Sequence, residues 1–219
     1  MNLNQTHTPQ VLHFTDHWIV VDKPAGWLTI PGRSGPDVPV LREWLREKYG
    51  DVWVVHRLDR ETSGVVLFAR TSEDHLLGNL WFRQRKVKKV YLCLAEGNAQ
   101  APFFKVSEPI EGLASSTQVE VLEKFQGAFL AKAFPRTGRR HQIRIHLAKS
   151  GYPLFGDPRY GGKVEVQTAS GIRMGIPRVA LHASYLELPT GEKFECPLPE
   201  DFAQWVDVMR SVSIGVKNV

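Results

Sequence analysis

The chain has 219 residues, 42% of them hydrophobic and 23% charged, which is long enough to bury a core and ordinary for a globular protein. No apolar run approaches the roughly 18 residues that span a bilayer, and polar residues 1–10 lack the basic start and apolar stretch of a secretory signal. The formal net charge is +5, a modest excess whose uneven placement says more than its size.

In chain order, residues 11–14 and 18–22 read as short strands around the turn Thr15-Asp16-His17. The second runs into Lys23-Pro24-Ala25-Gly26, a turn because proline fixes φ and glycine permits positive φ. Residues 32–39 are expected as loop. Over residues 40–49 the apolar Val40, Leu41, Trp44, Leu45 and Tyr49 share one helical face, and Gly50 stops the helix. Two apolar runs, 52–55 and 65–69, read as buried strands on either side of the segment from His56 to Gly64. Thr71 with Asp74 three residues on predicts a capped helix start. That helix is expected to carry Leu76, Leu77, Leu80 and Trp81 inward and to finish on a basic run.

Residues 90–95 read as a strand and 98–116 as loop. Residues 118–125 and 128–134 form a hairpin pattern around Gln126-Gly127. Ile143, Leu147 and Ala148 give helical spacing over 141–149, with Gly151 as the stop. Residues 161–177 are expected as an exposed loop and 179–188 as a strand. Phe202, Trp205, Val206 and Met209 mark a short terminal helix. Strands outnumber helices without alternating with them, so the fold class is α+β, and one domain is the simplest organisation. The two cysteines, Cys93 and Cys196, have no metal-ligand spacing around them and read as buried thiols in a reducing, cytoplasmic setting.

The segment between the two buried strands is His56-Arg57-Leu58-Asp59-Arg60-Glu61-Thr62-Ser63-Gly64. It sets one carboxylate, Asp59, among basic and small polar residues on a loop held by rigid scaffold, where chemistry is usually placed. On these residues alone Asp59 is either a positioned nucleophile or acid/base, or a turn aspartate beside surface arginines. Arg83, Arg85, Lys86, Lys88 and Lys89 crowd one stretch, and residues 132–149 contain basic residues and no acidic ones. Such clusters suit a polyanion partner, although a solvated helix face has the same pattern. His56, His141 and His146 lack the partners of a metal set and are assigned to hydrogen bonding and packing.

Several stretches, in order, extend this reading. HRLD followed by two residues and TSG, at 56–64, resembles the signature of the RluA-type family of RNA pseudouridine synthases. Arg136-Thr137-Gly138-Arg139-Arg140-His141-Gln142-Ile143-Arg144-Ile145-His146, continuing through Gly151-Tyr152-Pro153 to Gly156-Asp157, resembles the same family's GRxHQIRxH segment and its GxP…GD continuation. Lys89-Val90-Tyr91, Lys23-Pro24-Ala25-Gly26 and Leu181-His182-Ala183 resemble its K-x-Y, KPxG and LHA elements. Together they cover about residues 11 to 205.

The resemblance implies a pseudouridine synthase fold, with a mixed, largely antiparallel sheet, flanking helices and a central RNA-binding cleft. It implies one catalytic domain over residues 11–210 without the separate N-terminal RNA-binding domain of many relatives. The activity it implies is isomerisation of uridine in structured RNA, with no cofactor and no metal. It assigns Asp59 as the catalytic carboxylate, Tyr91 as the active-site tyrosine, Arg144 as the ion-pair partner of that carboxylate and Leu181 as an apolar contact to the base. Arg57, two residues before Asp59 and so on the same side of an extended segment, is read either as filling the gap left by a flipped nucleotide or as a phosphate contact. Lys86, Lys88, Lys89, Arg139 and Arg140 are cast as phosphate contacts. The expected partner is a tRNA or ribosomal RNA stem-loop, tRNA or both preferred over ribosomal RNA alone, bound by a monomer with no membrane involvement. The rival readings are a relative that only grips RNA, which the presence of Asp59, Tyr91 and Arg144 disfavours, and a metal-dependent phosphoesterase.

Overall fold

The computed structural model describes residues 8–32, 38–167, 171 and 173–214, so residues 33–37 of the expected 32–39 loop lie outside it. In chain order the elements are β1 (Gln10–Phe14), β2 (Trp18–Lys23), α1 (Leu41–Tyr49), β3 (Trp53–Val54), β4 (Ser63–Ala69) and α2 (Ser72–Arg83). Then come β5 (Lys88–Glu96), β6 (Phe103–Val106), β7 (Thr117–Phe125), β8 (Ala128–Pro135) and α3 (Gln142–Lys149). The last are β9 (Glu165–Gln167), β10 (Arg173–Gly175), β11 (Leu181–Glu187), β12 (Lys193–Glu195) and α4 (Glu200–Ile214). The α+β content expected from the sequence is what is observed. None of the described helices is long and apolar enough to cross a membrane.

The chain divides into two compact units: Met1–Lys89 with Ala183–Pro197, and Val90–His182 with Leu198–Val219. In the first unit β2 pairs antiparallel with β1 on one side and β4 on the other, in the register Trp18↔Ala69 to Lys23↔Gly64. Every residue of β4 is buried, which is why its sequence is a continuous apolar run rather than an alternating one. The expected strand at 52–55 is reduced to the two residues of β3, paired to the end of β4. Gly50 caps α1 with φ 78° and its N–H donates to Arg46 O. Thr71 caps α2 as expected, its hydroxyl accepting from the Asp74 N–H at 3.1 Å.

The buried face of α2 differs from expectation. Asp74 and Gly78 are its buried residues, whereas Leu76, Leu77 and Leu80 are exposed, Leu76 by 71%. Gly78 explains the rotation: a Cβ there would lie 2.7 Å from Val55 Cγ1, so the helix backs onto the sheet at its one residue without a side chain. The leucine spacing therefore marks the outer face, while Trp81 turns inward as expected, its ring 5.7 Å from that of the buried Trp18.

In the second unit β6, β7 and β8 form an antiparallel meander with β5 paired to the outer side of β8, and Gly127 at φ 71° turns β7 into β8. The small residues Ala131 and Ala133 of β8 let α3 lie close, and Ile143 and Leu147 pack with Cys93 and Val119 on that side. Another cluster gathers Phe202, Trp205, Val206 and Met209 of α4 with Leu94, Phe125 and Ala128. Three expectations need correction here. Residues 98–116 contain β6, whose Phe103 and Lys105 are exposed edge-strand positions with little alternation to read. Residues 161–177 contain the short hairpin of β9 and β10. The terminal helix, at 15 residues, is the longest among the described ones.

Within the first unit Gly64 sits in β4 at φ 115°, and a Cβ there would overlap the backbone of Ala183. Gly64→Ala combines a disfavoured backbone conformation with a clash against main chain that cannot rotate away. It is expected to lower stability by about 3 kcal/mol or more, read as a fall in the urea midpoint at unchanged slope.

Candidate active site

The loop carrying Asp59 is fixed from below by backbone contacts. Lys23, at the end of β2, is fully buried. Its ammonium donates to the carbonyls of Pro24 at 2.9 Å, Trp27 at 2.9 Å and Arg60 at 3.2 Å. An ammonium has three donors, and each meets an oxygen here. The Gly26 N–H donates to the same Arg60 carbonyl at 2.8 Å, which ties the 23–26 turn to the loop. Thr29 adds a second tie: its hydroxyl accepts from the Leu58 N–H at 3.2 Å and donates to the Leu58 carbonyl at 3.3 Å.

These ties set the direction of the side chains. Leu58 is buried while Arg57 and Arg60 are exposed and Asp59 is part-buried. The chain then turns, the Thr62 N–H donating to the Asp59 carbonyl at 3.1 Å, before entering β4. Backbone turn geometry and a part-exposed side chain thus coexist at Asp59.

Beside this loop His56 accepts a hydrogen bond from the Leu67 N–H at 3.0 Å through Nε2 and stacks on Phe82 at 4.8 Å. Burial, with the nearby charge of Lys89 adding to it, pushes its pKa down to about 3. Burial also pushes the Lys89 ammonium down to about 8. Lys86 and Lys88 are exposed, and Lys88 is engaged by Glu187 at 2.7 Å. A pair this exposed contributes little and yields readily to another anion.

In the second unit Tyr91, on β5 opposite Ala133, packs against the cluster that contains Leu181, Ile143 and Leu147. Tyr91 and Leu181 are therefore brought together with α3. Arg144, on α3, is 4% exposed and makes a two-pronged ion pair, Nε to Asp157 Oδ2 at 2.6 Å and Nη2 to Asp157 Oδ1 at 2.8 Å. Its guanidinium carbon lies 5.2 Å from the centre of the Tyr160 ring.

The loop before α3 is held by the Gln142 side chain, which uses all its hydrogen-bonding capacity. Its oxygen accepts from the Thr137 hydroxyl at 2.6 Å and the Arg139 N–H at 3.0 Å. Its nitrogen donates to Ser116 O at 3.0 Å and Thr117 Oγ1 at 3.1 Å. Arg140 is exposed on this loop and Arg139 part-buried. His146 is fully buried against Ser115, Thr117 and the Glu108 carbonyl, and His141 Nδ1 lies 2.9 Å from the Tyr160 hydroxyl. Hydrogen bonding and packing is thus what these histidines do. No group of three His, Cys, Asp or Glu with metal-binding geometry occurs among the described residues.

Lys23, Thr29, Asp157 and Tyr160 take parts here that sequence reading did not assign. Lys23 and Asp157 lay within recognised motifs, and a lysine closing an apolar strand is a usable signal. Thr29 and Tyr160 carry none.

The family described as RNA pseudouridylate synthase matches residues 17–149. The ribosomal large subunit pseudouridine synthase D of Pseudomonas aeruginosa is 32% identical over 92% of this chain and 72% of its own length. The corresponding synthase C of Salmonella typhi is 32% identical over 92% of this chain and 70% of its own. Among solved structures, human RNA Pseudouridylate Synthase Domain Containing 4 aligns at a TM-score of 0.77 and 23% identity, covering 91% of this chain and 92% of that one, a likeness of fold.

The His56 environment sets a pH test. A histidine whose folded pKa lies near 3 takes up fewer protons than the unfolded chain below its ordinary 6.5, so stability is complete above pH 6.5 and is lost as pH falls towards 3. The full effect is on the order of 5 kcal/mol. His56→Gln, whose amide oxygen can still accept from Leu67, is expected to flatten the acid side of the stability–pH curve in urea melts between pH 7 and 4.

Proposed function

The chain belongs to the RluA-type family of RNA pseudouridine synthases, and from that premise we propose how its own residues carry the isomerisation of uridine to pseudouridine. Asp59 is the catalytic carboxylate. The observation that carries this is the clamp beneath it: Lys23 and Thr29 fix Arg60 and Leu58, the two neighbours of Asp59, by their backbone groups. That holds the carboxylate on a loop whose backbone is tied down on both sides of it. A group that must meet one atom of a flipped nucleotide gains from such fixing, because misplacement by an ångström removes much of the advantage of proximity.

Tyr91 and Leu181 present a ring and an apolar wall to the base, and Arg144 supplies fixed positive charge for the reaction. The reaction breaks the bond between ribose and the base nitrogen, turns the detached uracil and rejoins it through carbon, so the pocket has to retain a loose base. Arg57, beside Asp59, substitutes for the extruded nucleotide in the stack or holds its phosphate, offsetting an unstacking penalty of a few kcal/mol. Lys86, Lys88, Lys89, Arg139 and Arg140 position the RNA by its phosphates.

The substrate is a structured RNA. The relatives above are named for the large ribosomal subunit, which makes ribosomal RNA the first class to test and tRNA the second. The two units serve one catalytic domain over residues 11–210. The enzyme works as a cytoplasmic monomer.

Tritium release from bulk ribosomal RNA and tRNA labelled at uridine carbon 5 tests this reading. The unaltered protein should release tritium from one class. Asp59→Asn should lower release by at least a hundredfold while RNA affinity stays within a few-fold, and retained release would exclude Asp59 as the catalytic group. Lys86→Ala with Arg140→Ala should instead weaken binding, leave the rate at saturating enzyme unchanged and reduce the salt slope of binding by about 1–2.

A further inference from the structure

We propose that Asp157, Tyr160 and His141 are positioning residues for Arg144, forming a seat that fixes the plane of its guanidinium; the proposal rests on the reading that Arg144 serves the isomerisation.

The fork between Arg144 and Asp157 is almost wholly out of water, at 4% and 0% exposure. Removing both charges from solvent is expensive, and such a pair is weak evidence for stability, since apolar residues of the same volume commonly do as well. What the fork provides that apolar packing does not is orientation. Two parallel N–H···O contacts fix a planar group in rotation as well as position, which a lysine ammonium could not reproduce.

Every part of the seat is held in turn. The Asp157 carbonyl accepts from the Tyr160 N–H at 3.1 Å and the Gly162 N–H at 2.8 Å, and the Asp157 N–H donates to Leu154 O at 3.3 Å. Gly156 and Gly162 stand where a Cβ would overlap the carbonyls of Arg178 and Leu154, so the loop that carries Asp157 is packed tightly against neighbouring main chain. The Tyr160 ring lies 5.2 Å from the Arg144 guanidinium carbon, within range for a cation over an aromatic face. Its hydroxyl is engaged by His141 Nδ1 at 2.9 Å, with the two rings edge to face. His141 itself adopts φ 54°, a left-handed conformation uncommon outside glycine. That conformation turns the chain into α3 immediately before the helix that carries Arg144, so His141 reaches Tyr160 at the expense of local backbone strain.

The test uses single-turnover kinetics with saturating enzyme on the bulk ribosomal RNA and tRNA labelled at uridine carbon 5, with RNA affinity measured alongside. Asp157→Asn should slow the reaction at least tenfold with affinity within twofold, because it keeps the volume and one acceptor but loses the charged fork. Arg144→Lys should slow it comparably, and the double variant should be no more than about twofold slower than Arg144→Lys alone, as expected if Asp157 acts through Arg144. Tyr160→Phe, which spares the fork and removes only the hydroxyl, should cost about threefold and decides the matter if Asp157→Asn does not fold. Multiplicative losses in the double variant, or Tyr160→Phe and Asp157→Asn at the unaltered rate, would overturn the proposal. A normal rate in Arg144→Lys removes the catalytic role of Arg144 itself. A slow Arg144→Lys beside a normal Asp157→Asn removes only the seat.

Discussion

The first unit depends on one buried ammonium. Lys23 is among the largest fully buried side chains in the protein, and its charge is out of water at the junction of β2, the 23–26 turn and the 59–62 turn. Desolvating an ammonium is costly unless every donor is satisfied, and here three main-chain carbonyls do so. The converse also holds: with the ammonium gone, three carbonyls would face each other in a dry space. Position of the loop and satisfaction of the charge are therefore one constraint. Because the acceptors are backbone, the geometry is indifferent to which side chains occupy positions 27 and 60, and Arg60 is released to the surface.

Arg144 is fixed in a different manner. Its anchors are side chains: a carboxylate in two-pronged contact, a ring against the guanidinium, and a glutamine whose four bonds shape the approach to its helix. A carboxylate on a loop is best oriented by clamping its neighbours' main chain. A guanidinium on a long flexible stem needs groups at its far end. The difference follows from side-chain length, and it explains why the first clamp is nearly invisible as a pattern of functional side chains while the second collects Asp157, Tyr160 and His141.

That contrast also marks what the sequence disclosed. Elements bounded by strong local chemistry were legible: Thr71 with Asp74, Gly50 after α1, Gly127 between β7 and β8, and the apolar runs of β2 and β4. The family of the chain was legible through ordered motifs, and with it the residues to examine. Elements set by tertiary contact were not. β6 carries phenylalanine and lysine on an edge, so no periodicity marks it, and β9 with β10 is three residues a strand. On α2 the leucines gave the wrong face, because close approach at Gly78 outweighs the burial of three side chains. Thr29 holds Leu58 across 29 residues of sequence, and nothing local to either position announces it.

The charges divide by burial as well. Lys86, Arg140, Arg57 and Arg60 are exposed, and Lys88 sits in an exposed pair, so their interactions are screened, exchangeable and suited to a polyanion that must arrive and leave. Lys89 differs from its neighbours in the same run. Burial lowers its proton affinity to near 8, and the adjacent His56 is kept neutral by the same burial together with the charge of Lys89. Were His56 to charge, two cations would share a poorly solvated space beside the loop that holds Asp59. A neutral imidazole accepting from Leu67 avoids that conflict and leaves Lys89 as the charge that the space can carry. The basic run at 83–89 is thus two kinds of residue in one stretch: a solvated set, and a single desolvated lysine whose charge adds to burial in keeping the histidine beside it neutral.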